Sequence, residues 1–407
     1  MNFNEIATKS EQICLPYFSE IDRICRFNSA KVLNAFKKCK IAANHLLGTN
    51  GYGYDDIGRD KIDEVFAQVL GAEDALVRHG FINGTHAIST ALFGILRPGD
   101  TLLSVTGSPY NTLRGVISGE SGGSLKEFGV DYCQLELLDN GEPDLCGIRS
   151  SCKGKKVIYI QRSRGYSFRR SLYVSDIEKI IKAVREVNRS TVIMVDNCYG
   201  ELCEEREPTE VGADLIIGSL IKNLGGGIAE TGGYIAGRKE LIELCSQRLT
   251  TVGIGREAGC SLNQNRGILL GLYHAPEAVA GALKTSIFAS SLFSEMGYVT
   301  YPDYNVPRTD IIIAIRLGSA EKMKAFCRGI QSGSPVDSHV IPEAWAMPGY
   351  DCEVIMAAGT FTMGASIELS ADGPLREPYA VWLQGGLSYE MGRLGVLTAA
   401  KQVISDI

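Results

Sequence analysis

From about residue 60 to 240 the chain alternates short apolar runs with amphipathic stretches, the pattern of a mostly parallel sheet covered by helices. The runs are Ala75 to Val77, Thr101 to Val105, Val157 to Ile160, Thr191 to Val195 and Leu215 to Ile217. Between the first two, Ala87, Ile88, Ala91, Leu92, Ile95 and Leu96 recur at helical spacing, and Arg97-Pro98-Gly99-Asp100 turns the chain into the next strand. A second helix is expected to begin at Ser175, where Ser175 and Glu178 form a capping-box pattern ahead of Ile177, Ile180, Ile181, Val184 and Val187. Beyond about residue 285 the pattern changes: a helical stretch, a strand at Ile311 to Ile315, a helix near Lys322 to Ile330 and a hairpin-like pair around Val354 to Leu369. The reading is an α/β protein with an N-terminal segment at 1–58, a large domain at 59–285 and a small C-terminal α+β domain at 286–407.

The 407 residues are enough for two or three cores, and the composition is that of an ordinary globular protein without biased tracts. A formal charge of -6, spread along the chain, offers no basic stripe, so nucleic acid is not an expected partner. The start, MNFNEIATKSEQICLPYF, lacks the apolar core of a signal peptide, and no apolar run nears the roughly 20 residues of a membrane span. A cytoplasmic protein with no membrane partner is expected. The twelve cysteines are scattered without a CxxC pair and read as reduced, mostly buried thiols. The five histidines form no HExxH and no close His/Cys pair, so no metal site is expected.

In open α/β sheets ligands bind where strands end, which directs attention to the residues after each run. The run ending at Val195 is followed by Asp196-Asn197-Cys198-Tyr199-Gly200. Taken alone Asp196 reads as a helix cap, but a carboxylate there can also pair with a protonated ring nitrogen. The next run leads to Lys222 and then Asn223-Leu224-Gly225-Gly226-Gly227. A lysine at a buried strand end, beside glycines that let a ligand approach, suits an imine-forming amine whose pKa partial burial lowers. Ser219 can place a hydroxyl on a phosphate, and Asn83-Gly84-Thr85-His86 opens the first helix, where free N–H groups and the helix dipole can hold the same phosphate. Tyr110, in TGSPYNTL, can stack on a flat ring or fill a turn.

The order NGTHAI, TGSPY, VDNCYGE and GSLIKNLGGG resembles the fold-type I enzymes that depend on pyridoxal 5'-phosphate (PLP). Within them the chain is similar to the cystathionine and methionine γ-lyase group, and most resembles its methionine γ-lyase-like, aluminium-resistance carbon–sulfur lyase branch. The likeness runs from about Gly51 to the end. It implies a PLP-dependent transferase-like fold, with Lys222 as the imine lysine and Asp196 at the ring nitrogen. It further implies Ser219, Gly84 and Thr85 at the phosphate, Tyr110 stacked on the ring and Tyr199 at the ring hydroxyl. Such enzymes complete the phosphate site with a tyrosine and an arginine of a neighbouring subunit, and GYGYDDIGRD offers Tyr52 or Tyr54 with Arg59. A homo-oligomer is therefore implied, at least an active-site-sharing dimer and by analogy a tetramer.

Substrate recognition departs from the better-known lyases. They carry an Arg-Leu-Ser pattern where this chain has Glu368-Leu369-Ser370, with Arg376 several residues later. Arg376 is a candidate for the carboxylate of an amino-acid substrate, and Arg162 and Arg164 in QRSRGYS are rivals. The implied reaction is β- or γ-elimination from a sulfur amino acid of the methionine, cystathionine or cysteine type, releasing a thiol, ammonia and a 2-oxo acid. Lys222 would move the Cα proton, and Tyr110 or Tyr54 would protonate the departing sulfur. The alternatives are another PLP reaction on the same fold, such as γ-replacement or decarboxylation, and a PLP-binding stress-response protein with little catalysis. A nucleotide site is disfavoured because the glycine run follows a lysine and lacks P-loop or GxGxxG spacing.

Overall fold

The computed structural model describes residues 3–119, 122–347, 350 and 352–405. A large sheet is built from β1 (Asp74–Arg78), β2 (Thr101–Ser104), β3 (Asp131–Gln134), β4 (Val157–Gln161), β5 (Val192–Asp196), β6 (Leu215–Ser219) and β7 (Gly233–Gly237), in the spatial order β1-β7-β6-β5-β4-β2-β3. Its strands run parallel except β7, which is antiparallel to both neighbours. Helices cover both faces, which is why β4, β5 and β6 are buried at every position and read as unbroken apolar runs. The interspersed helices are α1 (Phe3–Lys38), α2 (Ile57–Val69), α3 (Gly84–Ile95), α4 (Asn111–Ser118), α5 (Leu145–Ser151), α6 (Val174–Val187) and α7 (Lys239–Leu249). After α8 (Gln264–Glu295) the chain forms a second, fully antiparallel sheet from β8 (Val299–Tyr301), β9 (Ile312–Arg316), β10 (Val354–Ala357), β11 (Leu369–Pro374) and β12 (Ala380–Gly385), ordered β10-β11-β12-β9-β8. Helices α9 (Ala320–Ser332) and α10 (Tyr389–Ser405) accompany it. This is the fold-type I architecture, with the expected large and small sheets.

Two local expectations need correction. Helix α6 starts at Val174, one residue early, because Asp176 and not Glu178 reaches back to the Tyr173 N–H (3.1 Å); Glu178 pairs outward with Lys182 (2.7 Å). The partner of Val354–Ala357 is Leu369–Pro374, which begins where the hairpin was expected to end, and β12 beyond it was not anticipated. Residue 285, where the large domain was expected to end, lies inside the continuous α8.

Helix α8 organises the molecule. Helix α1 runs antiparallel along it, tied by Lys9 to Glu295 (2.5 Å), Asp22 to Lys284 (2.6 Å) and the Cys25 thiol to the Pro276 carbonyl (3.5 Å). Most of the N-terminal segment is thus packed on its own chain. Further contacts are made backbone to backbone. A Cβ on Gly271 would lie 2.3 Å from the Gly225 carbonyl oxygen, and one on Gly281 would lie 2.7 Å from that of Gly386. Gly225 belongs to the turn after Lys222, and Gly386 follows β12, so one helix touches both the lysine loop and the exit of the small sheet. Among the described residues no helix is long and apolar enough to cross a membrane.

Because the Gly271 contact has no room for a methyl group, Gly271→Ala should lower stability by about 1–3 kcal/mol, read as a drop in the urea midpoint. An unchanged midpoint would show that the helix and the lysine loop can move apart freely.

Candidate active site

The strand ends meet at a cleft of about 760 Å³ between the two sheets. β5 ends at Asp196, paired with Ile217 of β6; the chain leaves β6 at Ser219 and reaches Lys222 at the start of a short turn, Asn223–Gly225. Asp196 is buried, and its carboxylate accepts the Cys198 N–H (3.1 Å) and the Tyr159 hydroxyl (3.2 Å). In the sequence Tyr159 is one position of the apolar run that forms β4. Its signal was a phenol in an otherwise aliphatic strand, since a buried hydroxyl needs a partner. The Lys222 ammonium lies 3.9 Å from the centroid of the Tyr199 ring, a cation–π contact. Tyr199 has φ +73°, a left-handed conformation unusual for a bulky residue, and its hydroxyl is 3.5 Å from the Ser366 hydroxyl.

The electrostatics correct one expectation. Burial does pull the Lys222 pKa down, but Cys198, Tyr199, Asp196 and Tyr110 outweigh it and hold the free amine well above the ordinary lysine value. Burial raises the Asp196 carboxyl, with the Lys222 charge opposing it. Burial, helped by the Asp196 charge, keeps the Tyr110 phenol protonated well beyond its usual range.

At the neighbouring corner, α3 begins with Gly84 and Thr85 lining the cleft. Asn83 caps the helix by accepting the His86 N–H (2.8 Å), and Ala87 N–H bonds the Asn83 carbonyl (3.2 Å), so the Gly84 and Thr85 N–H groups are the ones without helical acceptors. A Cβ on Gly84 would meet the Cys198 sulfur at 3.2 Å and the Ser219 Cβ at 3.6 Å, so only glycine keeps this corner open beside the Ser219 hydroxyl. Tyr110 stands at the N-terminus of α4, its backbone N–H on Gln161 (2.9 Å) and its hydroxyl on Thr85 (3.0 Å). A buried acid, an amine, an aromatic wall and an anion corner in one cleft fit a flat, ring-nitrogen cofactor carrying a phosphate.

The arginines separate sharply. Arg162 is fully buried with its donors committed to Asn197 (2.8 Å), Glu204 (2.7 Å), Thr309 (3.1 Å) and the Leu172 carbonyl (3.3 Å), so it does not serve a substrate. Arg164, two residues on and therefore across the turn, lines the cleft while donating to the Tyr301 carbonyl (2.8 Å). Arg376 lines the cleft too, exposed, and among the described residues its guanidinium has no partner. Arg169, not anticipated, also lines the cleft, braced by the Gln161 carbonyl (3.0 Å) and the Ser163 carbonyl, with burial pushing its pKa down to about 10. Tyr52 and Tyr54 lie outside the cleft, 77% and 57% exposed and stacked on each other (5.7 Å). Arg59 is buried and turned inward to the carbonyls of Gly53 (2.8 Å) and Gly259 (2.9 Å), which makes it a brace of this loop rather than a free phosphate ligand.

A family model described as methionine gamma-lyase matches residues 3–404. The chain belongs to the methionine gamma-lyase family. A Bacillus subtilis (strain 168) protein, YnbB, is 47% identical over 389 residues, covering 95% of this chain and 92% of its own. A solved structure described as a carbon-sulfur lyase involved in aluminum resistance, from Clostridium novyi NT, superimposes with a TM-score of 0.95 at 46% identity, covering 98% of this chain and 96% of that one. The pyridoxal-5'-phosphate dependent protein YhfS of Escherichia coli shares the fold alone, with a TM-score of 0.64 at 16% identity over 95% of this chain and 97% of its own.

Within this methionine gamma-lyase family framework two buried acids take on definite roles. Glu368, which stands where the Arg-Leu-Ser arginine was sought, accepts the N–H groups of Phe361 (2.8 Å) and Thr362 (2.9 Å) and clamps a loop beside the cleft. Glu201 lies behind β6, bonded by the Tyr234 hydroxyl (2.8 Å), its other oxygen without a partner among the described residues, and its backbone carbonyl holds Asn223 next to Lys222 (2.9 Å). Burial pushes the Glu201 carboxyl up to about 8. An acid raised on folding stabilises fully below its unfolded pKa and loses that contribution as pH climbs through the folded value. Wild type should therefore lose roughly 2–4 kcal/mol relative to Glu201→Gln between pH 5 and 9. Urea unfolding of both proteins across that range checks it; parallel curves would mean Glu201 is ionised throughout.

Proposed function

We propose that this chain is a PLP-dependent carbon–sulfur lyase that eliminates a thiol from the β or γ carbon of a sulfur amino acid, leaving ammonia and a 2-oxo acid. The observation that carries this reading is the placement of Lys222 and Asp196 on adjacent strand ends, in the same cleft as Tyr110 and the open N-terminus of α3. Membership of the methionine gamma-lyase family supports the choice of reaction.

In this reading Gly84, Thr85 and Ser219 hold the phosphate, with the helix dipole favouring its charge. Asp196, fixed by Tyr159 and the Cys198 N–H, would face the ring nitrogen and favour its protonated form. Tyr110 would flank the ring, and Tyr199 would serve its hydroxyl. The chemistry supplied by the bound cofactor is electron withdrawal from the substrate Cα. Lys222 would hold the cofactor, and its amine is the group placed to take the Cα proton; a γ leaving group would require a second proton to be taken from Cβ. Tyr110 remains protonated and gives its proton to the sulfur, with Tyr54 of a neighbouring copy as the second candidate. Arg376 and Arg164 receive the substrate carboxylate, now without Arg162.

The same reading makes the protein a cytoplasmic homo-oligomer, a dimer or pair of dimers in which the exposed Tyr52 and Tyr54 complete a neighbour's cleft. Nucleic acid and membrane have no part in it.

The purified protein with PLP should absorb near about 420 nm and release thiol and keto acid from cystathionine, methionine or cysteine. Lys222→Ala should lose the dialysis-resistant band and turnover by roughly a thousandfold or more. A colourless wild type would end the cofactor assignment, and carbon dioxide without thiol would end the lyase assignment.

A further inference from the structure

The mechanism above leaves one wall of the cleft without a role. Ser370 and Asp372 of β11 face it together with Trp382 and Gln384 of β12, opposite each other in register, as alternate positions on paired strands must be. Asp372 is only 9% exposed, and its carboxylate accepts the Gln384 amide (3.0 Å) and a hydrogen bond from Tyr166. The Tyr166 ring packs 5.0 Å from Trp382 and 5.8 Å from Tyr350, so the acid sits in an aromatic surround. Among the described residues no lysine or arginine forms an ion pair with it. The cation acting on it is Lys222, whose charge together with the two hydrogen bonds opposes the burial that raises the carboxyl to about 6.

An apolar tail pressed against this carboxylate would bury an unpaired charge, an unfavourable arrangement. A cationic tail would gain both a charge-assisted hydrogen bond and the faces of the rings. We infer that Asp372 is a specificity-determining residue, receiving a cationic, hydrogen-donating group at the far end of the substituent on the substrate's sulfur. This rests on the lyase reading and narrows its substrate class from thioethers in general to those with a charged tail.

Two nearly isosteric probes test it: S-(2-aminoethyl)-L-cysteine and S-propyl-L-cysteine, offered to the holoenzyme. Wild type should favour the aminoethyl tail in kcat/KM for thiol release, through KM, by about tenfold or more. Asp372→Asn should abolish that ratio, and Asp372→Glu, which keeps the charge, should retain part of it. Equal handling of both tails by wild type, or an unchanged ratio in Asp372→Asn, would overturn the assignment. If neither probe releases thiol, β-elimination is excluded and the lyase reading is decided by γ-elimination from methionine or cystathionine, while the same preference and its loss are read in calorimetric dissociation constants for the two compounds. Should Asp372→Asn not fold, the Asp372→Glu ratio and the wild-type preference decide.

Discussion

The charges of Lys222 and Asp196 lie out of water, and a buried charge is tolerable only with a partner and with hydrogen bonds to satisfy it. Much of the surrounding structure follows from meeting that condition. The parallel register of β5 and β6 sets the two strand ends side by side, and Tyr159 and the Cys198 N–H fix the carboxylate. Tyr199 lays its ring under the ammonium at the expense of a left-handed backbone. Glu201, close behind, stays compatible with this arrangement because burial favours its neutral form, adding no second negative charge.

The central sheet was legible because its strands are covered on both faces and so appear as unbroken apolar runs. Strand β7 was not, since its sequence, GYIAG, is bounded by glycines, and β12 went unread although Ala380 to Leu383 form an apolar run, short and close behind the turn at Pro378. At the site, Lys222, Asp196, Ser219, Gly84, Thr85 and Tyr110 could be anticipated because the ends of parallel strands converge. Direction is what a sequence shows poorly: Arg162 and Arg164 look equivalent in QRSRGYS, yet one is consumed in the interior and the other lines the cleft. The sign of the Lys222 shift was also out of reach, because it depends on how many polar groups of distant segments gather around the amine. Asp372 and Glu201 carry no local motif; only the packed structure reveals that they are buried acids.

Glu368 shows how a change of one residue reassigns a position. An acid there cannot receive a carboxylate, and it instead pins the loop through Phe361 and Thr362. The guanidinium groups facing the cleft come from other segments, Arg114 from α4, Arg164 and Arg169 from the stretch after β4 and Arg376 from beyond β11. In the proposed reading, recognition of the substrate carboxylate falls to a different wall.

Helix α8 acts as a ruler. It touches the lysine loop at Gly271 and the exit of β12 at Gly281, and ten residues of α-helix measure about 15 Å. Pro276 lies between the two contacts and removes one hydrogen bond from the ladder, so the spacing between the lysine loop and the small sheet rests on the backbone contacts at Gly271 and Gly281 as much as on the helix itself.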